Sequence, residues 1–214
     1  MHTTRFQSFA ALVFLSAVCS PSAQAVPLCS NGTATESIST GNLVFRGVAA
    51  DDCYGVIAGN DTTSALSGVW GGGWTQVARD NTDGSPDVSV NFGGLNWVLN
   101  APDATSGNWS LILTDPAPAE SFPLAFDLVG VLKGGSEFAA YLFTQESFAD
   151  IGTFDGSFQI VFANGGGRTP SLSHLTLYAR TTDVPTRLPE PGTLGLAALA
   201  LVLVASTARL RRRP

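Results

Sequence analysis

The sequence predicts an all-β ectodomain folded as a two-sheet, jelly-roll-like β-sandwich, flanked by a signal peptide and one C-terminal transmembrane helix. Three observations point to the sandwich. Short apolar and β-branched runs recur between glycine, proline and Asx turn signals. Between Val26 and Leu188 lie 21 glycines in 163 residues, about twice the usual share. No stretch of that region has the apolar period of an amphipathic helix.

Ten strands are expected in order: Leu43 to Val48, Tyr54 to Ala58, Trp74 to Arg79, Val88 to Phe92, Trp97 to Asn100, Trp109 to Thr114, Leu124 to Lys133, Phe138 to Thr144, Ser157 to Phe162 and Leu172 to Arg180. Side chains alternate along a strand, so Trp109, Leu111 and Leu113 share one face, as do Ser173, Leu175, Leu177 and Ala179. Phe138 to Phe143 is apolar on both faces, which suits a central strand covered from both sides. Asp115-Pro116-Ala117-Pro118 reads as a loop. The ectodomain is expected over residues 26–181, followed by a linker over 182–188.

The two ends differ from the middle. The whole chain of 214 residues is 44% hydrophobic with a formal net charge of -6. Residues 26–188 hold 6 basic against 16 acidic residues, a net of -10, while residues 1–25 carry +1 and residues 189–214 carry +3. Lys133 is the single lysine, and no basic patch exists to meet a phosphate backbone, which excludes nucleic acid as a partner.

At the N-terminus, Arg5 precedes an apolar run from Phe9 to Val18, and Ala23-Gln24-Ala25 supplies a small-residue cleavage site after Pro21. That is the pattern of a secretory signal peptide over residues 1–25, addressed to the secretion machinery. The apolar run is well short of the roughly 20 residues that span a bilayer. Cleavage removes Cys19 and leaves Cys29 and Cys53 in an oxidising compartment, where an even count predicts a disulfide. A metal or catalytic thiol lacks partners: His174 is the only histidine of the mature chain and no Cys-x-x-Cys occurs.

At the C-terminus, Pro189-Glu190-Pro191-Gly192 precedes 16 apolar residues from Thr193 to Ala208, then Arg209, Arg211, Arg212 and Arg213. As a helix the apolar stretch is about 24 Å long, enough to cross a membrane with slight thinning or snorkelling of the arginines. The arginine cluster holds the C-terminus in the cytoplasm and the ectodomain outside.

Pro189-Glu190-Pro191, the short apolar helix and the terminal arginines resemble the PEP-CTERM sorting domain of Gram-negative bacteria, also known as the ice-binding protein C-terminal motif. The resemblance covers the last 26 residues. It implies that an exosortase in the inner membrane recognises Pro189, Glu190 and Pro191, cleaves near them, and passes the ectodomain to the cell surface or the extracellular matrix. Further segments look like an ectodomain found ahead of such tails: Asp52-Cys53-Tyr54-Gly55 with Gly59-Asn60-Asp61, Gly107-Asn108-Trp109-Ser110-Leu111, Leu132-Lys133-Gly134-Gly135, Phe138 to Phe143, and Leu172-Ser173-His174-Leu175. This second resemblance implies no activity.

No catalytic or cofactor-binding motif stands out. His174, on one strand face with Thr176, Tyr178 and Arg180, is read as structural, because no Gly-x-Ser-x-Gly elbow accompanies it. Asp80, Asp83 and Asp87 gather oxygen ligands of the kind Ca2+ takes, but the segment departs from the EF-hand template and Asp, Asn and Gly are also ordinary turn formers. Trp70-Gly71-Gly72-Gly73-Trp74 is read either as core or loop packing or as a pair of rings for stacking on sugars. The expected role is structural or adhesive and non-catalytic. The alternative is a module binding exopolysaccharide through Trp70 and Trp74. A polysaccharide hydrolase comes third, and would need two carboxylates facing a common cleft.

Overall fold

The computed structural model describes residue 29 and residues 38–115, 122–163 and 166–182. The segments expected to be a signal peptide, a sorting motif, a transmembrane helix and, beyond Thr182, a linker lie outside the described residues.

Among the described residues twelve strands form two antiparallel sheets. In chain order they are β1 (Leu43–Phe45), β2 (Val48–Ala49), β3 (Asp52–Ala58), β4 (Thr75–Asn81), β5 (Val88–Ser89), β6 (Asn91–Phe92), β7 (Leu95–Asn100), β8 (Ser106–Thr114), β9 (Leu124–Gly134), β10 (Glu137–Phe148), β11 (Gly152–Gln159) and β12 (His174–Thr181). The first sheet runs β2-β1-β11-β8-β7-β6 and the second β3-β10-β9-β12-β4-β5. Every one of the ten expected runs contains a strand, and two of them are broken. Leu43 to Val48 is interrupted at Arg46-Gly47, where both residues have positive φ (52° and 80°), the backbone of a tight two-residue hairpin turn. Val88 to Phe92 breaks at Val90 into β5 and β6, which join different sheets. The run expected from Ser157 starts earlier, at Gly152, and ends at Gln159.

The two sheets bury their facing side chains against each other. Leu95, Trp97 and Leu99 of β7 and Trp109, Leu111 and Leu113 of β8 meet Leu128 and Leu132 of β9, Ala139, Tyr141 and Phe143 of β10, and Leu175, Leu177 and Ala179 of β12. Aromatic rings fill much of the interior: Phe45 stacks on Trp109 at 5.3 Å, and Trp97 meets Phe126 edge-on at 5.2 Å. Both expected faces, that of Trp109 and that of Leu175, point into this core.

One expectation is corrected. An α-helix, α1 (Thr63–Trp70), lies in the region read as free of helix. It has eight residues and buries a single one, Leu66, so it is too short to show a period and too short to hold itself in water. Its start is capped by the Thr62 hydroxyl, which accepts the Ala65 N–H at 3.3 Å. Leu66 sits on the outer face of the second sheet with Val129, Val131, Phe138, Ala140, Leu142 and Tyr178, together with Trp74. That cover explains why Phe138 to Phe143 is apolar on both sides: one face meets the other sheet, the other meets α1 and its flanking loop.

Cys29 and Cys53 are bonded to each other, closing a separation of 24 residues and tying Cys29 to β3. In the chain-entropy model a loop of that size is worth about 3 kcal/mol. The double variant Cys29→Ser/Cys53→Ser should lose stability of that order, read from its denaturant midpoint; an unchanged midpoint would show that the loop is already ordered when unfolded.

Gly156 of β11 faces Trp109 across the strand pair, and a Cβ there would overlap the indole and the Val44 carbonyl. Gly156→Ala should therefore cost about 2 kcal/mol through overpacking, lowering Tm by about 4–8 °C. Ser157→Ala, one residue along and on the opposite face, should leave Tm nearly unchanged.

Candidate functional site

The structure gathers polar and charged side chains at two places, on opposite outer faces of the sandwich. On the outer face of the second sheet, β12 carries His174, Thr176, Tyr178 and Arg180 in one column, and β9 carries Lys133, Val131, Val129 and Asp127 directly across from them. The middle of this face is apolar and the ends are polar. Asp61, in the loop before α1, lies over one end with its carboxylate fully buried. It accepts both Arg79 Nη2–H contacts (3.1 and 3.0 Å) and the Tyr178 hydroxyl (2.9 Å), and its Oδ1 is 2.9 Å from His174 Nε2. Arg79 Nε in turn donates to Thr176 Oγ1 at 2.9 Å.

Burial alone would push the Asp61 carboxyl up. The His174 hydrogen bond, the charges of Arg79 and His174, and the Tyr178 hydrogen bond outweigh it and hold the group well below the usual carboxylate range. The Tyr178 phenol is pushed up, first by burial and then by the Asp61 charge. Asp61 is thus a saturated anion with no spare lone pair aimed at solvent. It organises the segment instead of offering a base, and His174 is engaged as one of its partners.

At the other end Arg180 Nε and Nη2 reach Asp127 Oδ2 at 2.9 and 2.8 Å, and Gln145 N–H occupies Asp127 Oδ1 at 2.9 Å. The same guanidinium donates to the Trp70 carbonyl at 2.8 Å and lies 4.2 Å from the Trp74 ring. Trp74 is 6% exposed and packs against the sheet. Trp70 is half-buried, donates Nε1–H to Asp52 Oδ2 at 2.8 Å, and meets Tyr54 edge-on. Trp74 is thus packed between the sheet and the Arg180 guanidinium, while Trp70 keeps part of its ring exposed.

The aspartates of residues 80–87 serve the turn. Asp87 Oδ1 accepts Asn81 N–H at 2.8 Å, Asp83 Oδ1 accepts Ser85 N–H at 2.9 Å, and Asp80 Oδ2 accepts Ala101 N–H. Asp80, Asp83 and Asp87 do not converge on a point, and among the described residues no group of three or more His, Cys, Asp or Glu side chains is placed to hold a metal ion.

The second place is the outer face of the first sheet, over which no helix lies among the described residues. Asn100 of β7, Ser110 of β8 and Asp155 of β11 stand in one cross-strand row, because Ser110 pairs with both of the others. Asn108 pairs with Ser157 in the neighbouring row on the same face. These side chains line a cavity of about 390 Å³ that Asp80 also borders and whose floor includes Trp109. A second cavity of about 440 Å³ continues it, sharing Asn108 and Asp155 and reaching Val44 and Ser157. Burial pushes Asp80 up from its ordinary value, and the Asp87 charge adds to this against the Ala101 hydrogen bond. None of Asn100, Asn108, Ser110 and Asp155 was singled out from sequence as a site residue; the one local signal was their place on the polar side of strands whose other side is apolar.

Compared with family models, curated proteins and solved structures, the chain finds no match.

Asp61→Asn keeps the shape and removes the charge that three partners share. It should cost about 3 kcal/mol at neutral pH, as the breaking of a buried ion pair does. Because the native carboxyl titrates below its unfolded value of about 3.9, its contribution is complete above that pH and falls away as pH drops further. Melting curves of the two proteins should accordingly lie apart at pH 7 and approach each other below about pH 4. A gap that persists unchanged to pH 2 would remove Asp61 as the anionic hub.

Proposed function

We propose that the protein is exported, sorted by an exosortase at its C-terminal tail, and displayed as a non-catalytic structural or adhesive domain at the cell surface or in the extracellular matrix of a Gram-negative bacterium. The observation that carries this reading is the pairing of two terminal signals: an export signal over residues 1–25, and Pro189-Glu190-Pro191 followed by an apolar stretch and four arginines. The Cys29–Cys53 bond supports export, since such bonds persist in oxidising compartments. In this reading the chain is the substrate of the sorting chemistry and the ectodomain is its cargo. The sandwich is read as jelly-roll-like, supported by sheet neighbours distant in sequence, β1 beside β11 and β3 beside β10.

Replacing Pro189, Glu190 and Pro191 together by alanine should leave the full-length form in the inner membrane fraction and deplete the shorter, surface-associated form. The check is an immunoblot of fractionated cells. A triple variant that is still shortened and still reaches the surface refutes exosortase sorting.

A further inference from the structure

From the chemistry of the open sheet face we infer that the groove over β7, β8 and β11 binds a neutral polysaccharide, with Asn100, Asn108, Ser110 and Asp155 as the contacting side chains. The inference does not rest on the sorting reading, and either can fail alone. Four polar side chains converge on one cavity, and none of the four makes a hydrogen bond to another described residue. On the opposite face the corresponding groups are consumed: Asp61, Asp127, Arg79 and Arg180 bond to one another's elements and hold α1 down. The four groove side chains thus keep their donors and acceptors open.

The kind of ligand follows from what lines the cavity. Asp80 and Asp155 are carboxylates, and among the described residues no lysine or arginine borders either cavity. An anionic ligand would meet like charge with nothing to offset it, in a region that is already at -10. An apolar ligand would leave the two amides, the hydroxyl and the carboxylates without partners. An extended peptide added as a strand needs a free backbone edge, and β8 and β11 are paired on both sides. Sugar hydroxyls, each both donor and acceptor, match amide, hydroxyl and carboxylate side chains together. The first cavity lies within the usual size range of ligand sites. The second continues it past Asn108 and Asp155, so the floor is long enough for a chain and not only for a single ring.

The test is affinity electrophoresis of the full chain in a polyoxyethylene detergent, through gels containing dextran, laminarin or galactomannan, with alginate as the polyanionic comparison. At least one neutral polymer should retard the protein and alginate should not. Asn108→Ala and Asp155→Ala should each weaken that retardation about tenfold in apparent Kd, the loss expected for one well-made hydrogen bond to a sugar. Both side chains are exposed, so Tm should not move, and melting curves verify that the variants are folded. Trp70→Leu, on the other face, should bind like the parent. The inference is overturned if none of the three neutral polymers retards the protein, if alginate retards it equally, if both groove variants bind unchanged, or if Trp70→Leu alone abolishes retardation.

Discussion

The buried carboxylate of Asp61 is the constraint on which one whole side of the molecule depends. An ionised carboxylate leaves water only when donors replace its hydration, and here Arg79, His174 and Tyr178 supply them from β4 and β12. Those donors lie in two strands, whereas Asp61 lies in the loop before α1. The pairing therefore decides where the loop and helix sit. At the far end Arg180 holds the helix C-terminus through the Trp70 carbonyl while itself paired to Asp127. Between these clamps Leu66 and Trp74 cover Val129, Val131, Phe138, Ala140 and Leu142. With about 25 cal/mol per Å² of apolar area at stake, exposing that patch would be costly, and the polar clamps keep an otherwise marginal eight-residue helix on top of it.

The consequence is a sandwich with two unlike outer faces. The central strands β9, β10 and β12 of the second sheet are largely buried on both sides, and on its outer face Asp61 is paired with Arg79 and Asp127 with Arg180. The first sheet has Leu95, Trp97, Leu99, Trp109, Leu111 and Leu113 inward, and Asn100, Asn108, Ser110 and Asp155 outward beside Val98 and Ile112. This division assigns the two clusters their roles. His174 and Asp61 resemble parts of a catalytic set, yet both are engaged in holding a helix. The groove on the open sheet has ordinary residues, none of them singled out by a motif, and keeps its hydrogen-bonding capacity. Asp80 and Asp155 border that same groove, so two carboxylates share one cavity there, Asp80 with its Oδ2 accepting the Ala101 N–H.

Legibility from sequence tracked the range of the interactions. Strands were legible because alternation is local: Trp109, Leu111 and Leu113 declare their face without reference to any other segment, and so do Leu175, Leu177 and Ala179. The Cys29–Cys53 bond was legible because the expectation that Cys19 belongs to an export signal left only one pairing. Helix α1 was not, because its eight residues bury one side chain and its stability comes from Asp61 and Arg180. Trp74 was ambiguous for a similar reason, since the guanidinium that covers it belongs to a residue 106 positions away.

By itself, the sequence determined the charge of each part, the mostly β character of the middle and the disulfide. Each of these is a matter of composition, period or a contiguous motif. Only the tertiary structure decided which polar groups are spent and which are open. Asp61 meets His174 and Tyr178 across 113 and 117 residues, and Asn100, Ser110 and Asp155 form a row only because β7, β8 and β11 lie side by side. Strand order in a sheet is set by packing between distant segments, so a binding surface written across three strands becomes visible only once they are laid together.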